Sequence, residues 1–152
     1  MDLLNKVALV TGASSGVGAQ TAIKLAKLGV SVVINYAKSE QGALNTYNEI
    51  ISQGGIATIC QADISEESQC IRLVNSAIDT FNQLDIIINN AGTTEFIAHK
   101  DLDKLTDEVW KKSLATNLMG PFYISRAATP FLTKQGGGEI VMTSSIAGLT
   151  TH

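Results

Sequence analysis

Short apolar runs alternate with longer stretches of helical spacing along this chain of 152 residues. Five runs are nearly continuous in apolar and β-branched residues, which predicts parallel strands covered on both faces. These runs are Val7–Val10, Val30–Tyr36, Ala57–Ala62, Asp85–Asn89 and Glu139–Thr143. Apolar residues every three or four positions predict helices between them. The helices are Gly16–Leu28, Glu40–Gln53, Glu66–Phe81 and a long one over Asp103–Lys134.

Further signals refine two of these helices. Ser65 precedes Glu66 and Glu67, so we expect it to cap the third helix, whose positive end suits both carboxylates. In the long helix, Pro121 predicts a kink rather than an end. Apolar residues at helical spacing form one stripe along that helix. They are Leu102, Leu105, Val109, Leu114, Leu118 and Phe122.

Polar and glycine residues stand at the ends of four predicted strands. Because strands alternate with helices, we expect a parallel sheet with right-handed crossovers and helices on both faces. The strand ends then share one edge, where a ligand crevice is expected. The segments at this edge are Thr11–Gly18, Asp63, Asn89–Gly92 and Ser144–Ser145.

Charge and cysteine content narrow the functional classes. The net charge is −3 without a basic cluster, which argues against a nucleic-acid surface. No apolar run is long enough to cross a bilayer and no signal-peptide layout occurs, so we expect a cytoplasmic protein without membrane contact. Cys60, expected on a buried strand, and Cys70, expected in a helix, are interpreted as reduced structural thiols. His99 and His152 lack spaced partners, and no residue is assigned to a metal.

The segment Thr11–Gly18 joins the first strand to the first helix. Strand, glycine loop and helix together let a backbone approach a pyrophosphate and aim a helix N-terminus at it. The first glycine permits the tight turn, the second admits the phosphates, and the third lets helix and sheet pack closely. The serines can donate hydrogen bonds; a plain glycine-rich turn is the alternative. The residues assigned to a cofactor here are Gly12, Ser14, Ser15, Gly16, Val17 and Gly18.

Several motifs together carry a family resemblance. The sequences TGASSGVG, NNAG, TNLMG and SSIAG lie at Thr11–Gly18, Asn89–Gly92, Thr116–Gly120 and Ser144–Gly148. With Asp63, this set resembles the short-chain dehydrogenase/reductase family, especially single-domain reductases of the 3-oxoacyl-acyl-carrier-protein type. The resemblance implies one NAD(P)-binding domain over residues 1–152, with a Rossmann-type, doubly wound parallel α/β sheet of order 3-2-1-4-5 in three layers. It also implies that the chain stops before the family's Tyr-x-x-x-Lys motif and two further strands, which leaves the sheet incomplete.

The resemblance assigns roles at the strand ends. Asp63 is similar to the family aspartate that meets the adenine amino group, with Ile64 as a backbone contact and apolar wall; a helix-capping or loop aspartate is the alternative. Asn90, followed by Ala91 and Gly92, resembles the cofactor-contacting part of its motif. Asn89 is expected to tie strands together through its side chain.

Two residues resemble members of the family's catalytic centre. Ser145 is similar to the serine that hydrogen-bonds the substrate carbonyl, whereas Ser144 is expected to point away and be structural. Asn117 is similar to the asparagine that holds a water in a proton relay; a helix-interior amide at a local kink is the alternative. The tyrosine and lysine of the family mechanism cannot be assigned, since no tyrosine here is followed by lysine four residues later.

The end of the second strand bears on the choice of cofactor. An NAD enzyme usually places a carboxylate there to hold the ribose 2′-hydroxyl. Here Lys38 and Ser39 follow the strand and could meet a 2′-phosphate, although Ser15 stands where many NADP-binding relatives carry arginine. NADP(H) is favoured and NAD(H) is the alternative. Lys38 as a solvated loop charge is left open.

These inferences predict an NADP(H)-dependent oxidoreductase that moves a hydride between nicotinamide and a small carbonyl or alcohol substrate. The alternative is a non-catalytic dinucleotide-binding fragment. In the family, the long helix serves a subunit interface, so a homo-oligomer is expected of a full-length protein.

The segment Thr93–His99 is either a substrate contact or a surface loop. The apolar strand at residues 140–142 would lie at a sheet edge that invites pairing with another chain.

Overall fold

The computed structural model describes residues 2–146, which form one parallel sheet in the order β3-β2-β1-β4-β5. The strands are β1 (Val7–Val10), β2 (Ser31–Tyr36), β3 (Ala57–Gln61), β4 (Ile86–Asn89) and β5 (Glu139–Met142). Each lies within its predicted range, and the predicted order and Rossmann-type fold are confirmed. Gly148 and His152 lie outside the described residues.

The sheet is covered by helices on both faces, which confirms the three-layer prediction. Leu9, Val33 and Ile87 belong to an apolar core shared with the third and fifth helices, whereas neighbouring strand residues such as Val10 and Ile34 pack with the first two helices. The helices are α1 (Gly16–Lys27), α2 (Glu40–Ser52), α3 (Glu67–Phe81), α4 (Asp107–Leu114) and α5 (Gly120–Lys134). Successive side chains of a strand face opposite sides, so each central strand serves both cores.

The start of α3 corrects one prediction. Glu66, not Ser65, is the N-cap residue, and no side chain caps the helix. The Ser65 hydroxyl instead donates a hydrogen bond to Asp63 Oδ1 at 2.7 Å. The hydrogen bond from the Ser65 hydroxyl to the Asp63 carboxylate is favoured over a capping bond to a backbone N–H, because hydrogen bonds to charged groups are stronger than neutral ones.

The long predicted helix is divided, which corrects a second prediction. A 3₁₀ turn at Leu102–Lys104 precedes α4, and a π-helical turn at Ala115–Met119 joins α4 to α5. The irregularity thus comes before Pro121, which sits in the first turn of α5. Proline has no N–H for the carbonyl four residues back, so the α-helical ladder cannot continue regularly through this point.

The apolar stripe predicted for this helix lies mostly on the surface. Of the predicted stripe, only Val109 is half-buried, while the others are exposed, up to 68% for Leu102. Residues 139–142 of β5 are also exposed. The strand has β4 on one side, and no described strand on the other.

The two cysteines are free thiols with different surroundings. Cys60 is half-buried on β3, an edge strand, so the prediction of a buried strand position is wrong. Cys70 is buried in α3, where its Sγ donates to the Ile64 carbonyl oxygen at 3.2 Å. Burial, reinforced by the nearby acidic side chains of Asp63 and Glu67, raises the pKa of Cys70 to about 12.

Candidate functional site

A cleft of about 700 Å³ lies where the carboxyl ends of the first four strands meet. Most of the residues predicted to contact a cofactor line this cleft. They are Gly12, Ser14, Ser15, Lys38, Ser39, Asp63, Ile64, Asn90, Ala91 and Gly92. Gly16, Val17 and Gly18 follow in the first turn of α1 and are not lining residues. The topology therefore brings four separated sequence segments to one concave surface.

Close approaches of backbone explain two of the glycines. Gly12 has a φ of +63°, and a Cβ there would lie 2.8 Å from the Ala91 Cα. A Cβ on Gly18 would lie 2.5 Å from the Asn90 Nδ2 and closer still to the Gly12 carbonyl oxygen. A side chain at either position would push the glycine loop away from the end of β4. Gly16 differs, because its φ is +56° but nothing lies within 4 Å of a Cβ.

The N-terminus of α1 is unlike those of α2, α3 and α4. Ser15 is its N-cap residue with extended backbone, its side chain makes no capping bond, and no acidic residue occupies the first turn. The next three helices each carry at least one carboxylate there. The backbone N–H groups and the positive end of the α1 dipole are therefore available to an anion beside Ser14 and Ser15.

Thr11 links the glycine loop to the end of β4, a role that the sequence analysis missed. Its buried Oγ1 accepts hydrogen bonds from the N–H groups of Asn90 and Ala91, both at 3.0 Å. The same hydroxyl donates to the Ile88 carbonyl oxygen at 3.3 Å. The available signal was a hydroxyl residue directly between an apolar strand and the first glycine.

Asn35 is a second residue that the sequence analysis missed, and it lines the cleft near the end of β2. Its buried amide oxygen accepts from the Gly12 N–H at 3.2 Å. Its Nδ2 donates to the carbonyls of Ala62 (3.0 Å) and Cys60 (3.3 Å). One side chain thus connects the glycine loop to the end of β3. An amide inside an otherwise apolar strand was the signal.

The two adjacent asparagines at the end of β4 have roles that correct the prediction for Asn89. Asn90 Nδ2 donates to the carbonyls of Thr11 (3.0 Å) and Gly12 (3.3 Å), so Asn90 joins the ends of two strands. Asn89 Nδ2 instead reaches Ser125 Oγ on α5 at 3.2 Å, and its buried Oδ1 has no hydrogen-bond partner among residues 2–146. Alternation along the strand sends the two side chains to opposite faces of the sheet.

Asp63 lines the cleft and also shapes the turn before α3. Its Oδ1 accepts from both the N–H (3.0 Å) and the hydroxyl (2.7 Å) of Ser65. Within residues 2–146 no hydrogen bond to Oδ2 is found, so this oxygen can accept from a ligand. Ile64 beside it is buried, and a Cβ on Gly120 would lie 2.7 Å from the Ile64 Cδ1. The start of α5 therefore packs directly against this wall of the cleft.

Asn117 lies in the π-helical turn and acts on the cleft through Thr93. Its Oδ1 accepts from the Thr93 N–H, and its Nδ2 donates to the Thr93 carbonyl, both at 2.8 Å. Thr93 lines the cleft, whereas Asn117 does not. Ser144 and Ser145 follow β5, are exposed, and are not among the lining residues.

The charged groups that line the cleft are Lys38, Asp63 and Lys112. Lys112 Nζ lies 3.0 Å from Glu95 Oε2. Lys38, the other cation that lines the cleft, has no ion pair with any residue from 2 to 146. No group of three His, Cys, Asp or Glu residues between positions 2 and 146 is arranged to hold a metal ion. Likewise, none of the helices in that range combines the length and the apolar character needed to span a membrane.

A sequence profile of the short chain dehydrogenase family matches residues 6–152. The chain belongs to this family. This short-chain dehydrogenase sequence is 42% identical, over 93% of its length, to a ketoacyl reductase 2 assigned to the granaticin polyketide synthase of Streptomyces violaceoruber. It is 37% identical, over 97% of its length, to the 3-oxoacyl-[acyl-carrier-protein] reductase of Synechocystis sp.. The predicted family resemblance is confirmed.

Solved structures agree with this membership. A crystal structure assigned as a short-chain alcohol dehydrogenase from Sinorhizobium meliloti 1021 has a TM-score of 0.90 and 30% identity, and covers 99% of this chain. The short-chain dehydrogenase chain covers 55% and 58% of the two curated relatives and 58% of that structure. It therefore spans about half the length of the relatives that it matches.

Proposed function

We propose that this protein is an NADP(H)-dependent oxidoreductase acting on a small carbonyl or alcohol substrate, with residues 1–152 belonging to its NAD(P)-binding domain. The observation that carries the proposal is the cleft itself. The glycine loop, Asp63, Asn90 and Lys38 come from different strands and line one concave surface. Family membership supports the reaction class, because the matched relatives are named as reductases.

The residues present fit a dinucleotide. The uncapped, acid-free first turn of α1 supplies N–H donors for the pyrophosphate, with the hydroxyls of Ser14 and Ser15 beside it. The open space at Gly16 leaves room for phosphate oxygens. Asp63 Oδ2 would accept a hydrogen bond from the adenine amino group, and Ile64 would form an apolar wall of the cleft beside the adenine. Ala91 and Gly92 also line the cleft.

The preference for NADP(H) over NAD(H) rests on the residues after β2. Lys38 and Ser39 line the cleft there, whereas Glu40, the nearest carboxylate in sequence, does not. A 2′-phosphate would meet the Lys38 ammonium, which has no ion pair within the described part of the chain, and the Ser39 hydroxyl, rather than a carboxylate that repels it.

The chemistry proposed is hydride transfer, for which a bound nicotinamide supplies or accepts the hydride. Ser145 is proposed to donate a hydrogen bond to the substrate carbonyl oxygen. Asn117 is proposed to keep the wall at Thr93 in place beside a proton relay, since its amide is bonded at both ends to the Thr93 backbone.

We further propose that the protein is cytoplasmic and that the full-length protein is homo-oligomeric. Both cysteines are free thiols, which suits a reducing compartment.

The surface of α4 and α5 exposes Trp110, Leu114, Leu118 and Phe122 at 48–61% of their areas. Apolar side chains clustered in this way are typical of a subunit interface. Sedimentation of the purified protein tests the association, and a monomer at micromolar concentration would contradict it.

Titration with NADPH and NADH, followed by fluorescence or calorimetry, tests the binding function. We expect saturable binding of both, with NADPH the tighter ligand. Lys38→Gln should weaken NADPH binding severalfold and leave NADH unchanged, while Lys24→Gln, in the last turn of α1, should alter neither. Absence of saturable binding contradicts the function, and tighter NADH binding contradicts the preference. Dinucleotide binding without carbonyl reduction by the natural protein favours a non-catalytic binding module instead.

A further inference from the structure

The turn that joins β2 to α2 is where a 2′-substituent would bind, an assignment that rests on the proposed function. It consists of Ala37, Lys38 and Ser39, which are exposed and line the cleft. Its local hydrogen bonds run from the Glu40 N–H to the Lys38 carbonyl (3.2 Å) and from the Ala43 N–H to the Ser39 carbonyl (3.1 Å). Both stay within the turn and α2, so neither positions the turn relative to the sheet.

One side chain reaches this turn from the neighbouring strand. Gln61 Nε2, at the end of β3, donates a hydrogen bond to the Ala37 carbonyl oxygen at 3.1 Å. Within residues 2–146, this is the hydrogen bond that ties the turn to an element other than α2. The position of Lys38 above the cleft therefore depends on a residue that does not itself line the cleft.

Gln61 is itself held in place on two sides. Its backbone pairs with Tyr36 in the parallel register of β3 and β2. Its carbonyl oxygen accepts a hydrogen bond from the Arg72 guanidinium on α3 at 2.8 Å. The Gln61 side chain that donates to Ala37 therefore comes from the end of β3, which a charge-assisted hydrogen bond from Arg72 connects to α3.

We propose that Gln61 is a positioning residue for cofactor choice, which places Lys38 and Ser39 for a 2′-phosphate by holding the Ala37 carbonyl. A turn without this bond has more conformations to lose when the phosphate binds, and the cost of ordering it is subtracted from affinity. The contacts proposed for the adenine and the pyrophosphate lie on other segments. The contact therefore acts on NADP(H) and leaves the shared part of the two cofactors unaffected.

Two small ligands isolate this contribution. Adenosine 2′,5′-bisphosphate and 5′-AMP share adenosine and the 5′-phosphate but differ in the 2′-phosphate, so the ratio of their Kd values reports the turn alone. Gln61→Met keeps the length of the side chain and removes the donor. Gln61→Thr, which is too short to reach Ala37, is a second variant suited to a strand. Gln53→Met is the matched control, since Gln53 is an exposed glutamine at the far end of α2.

An exposed neutral hydrogen bond contributes little, so the expected change is modest. We expect both Gln61 variants to raise the Kd for adenosine 2′,5′-bisphosphate about two- to fivefold and to leave the Kd for 5′-AMP unchanged. Arg72→Met should act in the same direction with a smaller effect, and Gln53→Met should alter neither ligand. Unchanged melting temperatures would show that the variants are folded.

Equal losses for both ligands, or no loss for either, would overturn the proposal, because Gln61 would then be structural or irrelevant. Failure of the unsubstituted chain to bind either ligand would overturn the proposed function, and the role of Gln61 with it. A normal 5′-AMP affinity with a reduced bisphosphate affinity in both variants supports the positioning role.

Discussion

The Thr11 hydroxyl should contribute strongly to both stability and cofactor binding. Thr11→Val replaces the hydroxyl by a methyl group of similar size and keeps the β-branched shape that suits the end of β1. The change leaves the part-buried N–H groups of Asn90 and Ala91 without the acceptor that lies 3.0 Å from each. The Ile88 carbonyl oxygen loses the hydrogen bond from the Thr11 hydroxyl but keeps the one from the backbone N–H of residue 11 at 3.0 Å.

The magnitude follows from these contacts. A fully buried donor left without an acceptor costs about 1–3 kcal/mol. Two donors share this hydroxyl, and because both are only part-buried, water offsets some of that cost. Relaxation of the loop recovers part of this, so we expect Thr11→Val to lower the free energy of unfolding by about 2–4 kcal/mol. Thr11→Ser keeps the acceptor and loses one buried methyl group, at a cost of about 1 kcal/mol.

Urea denaturation of the two variants measures this difference. The stability of Thr11→Ser should lie close to that of the unsubstituted protein, whereas Thr11→Val should unfold at clearly lower urea. Nucleotide affinity should fall with the valine and not with the serine, because Asn90 and Ala91 line the cleft. A valine variant within about 1 kcal/mol of the unsubstituted protein would refute the reasoning.

Three further perturbations give distinct outcomes. Gly18→Ala should destabilise the fold by more than about 1 kcal/mol and weaken nucleotide binding, since its Cβ would meet atoms at 2.5 Å or less; wild-type melting and affinity would contradict this. Asn117→Leu should lower activity in the natural protein, because it removes both the acceptor for the Thr93 N–H and the donor to the Thr93 carbonyl; unchanged kinetics would argue against this role of Asn117. The raised pKa of Cys70, about 12, means that the folded state keeps the thiol protonated after the unfolded chain has begun to ionise near pH 9. The free energy of unfolding should therefore fall as pH rises from about 9 towards 12, measured by urea titration. Cys70→Ala should lack this part of the decline, and the native thiol should react with iodoacetamide more slowly than Cys60.

The elements of this fold and the segments of its cleft could be predicted because they depend on local patterns. Continuous apolar runs define strands buried on both faces, and a glycine loop between a strand and a helix has few other uses. The order of the strands then follows from alternation and handedness together with the family resemblance. The sequence alone therefore predicts that Gly12, Asp63, Asn90 and Lys38 meet at one crevice.

The connections inside that crevice were decided by tertiary structure. The hydrogen bonds of Thr11 to Asn90 and of Gln61 to Ala37 join residues that are 79 and 24 positions apart. Such partners exist only once particular strands have become neighbours with a particular register. The same holds for Asn89, whose side chain reaches α5 rather than a strand, and for the π-helical turn before Pro121, where packing determines how the missing N–H is accommodated. Local preference selects the elements, but a hydrogen bond between strand ends requires a donor and an acceptor from distant segments to be placed within about 3 Å of one another, and only the assembled sheet does that.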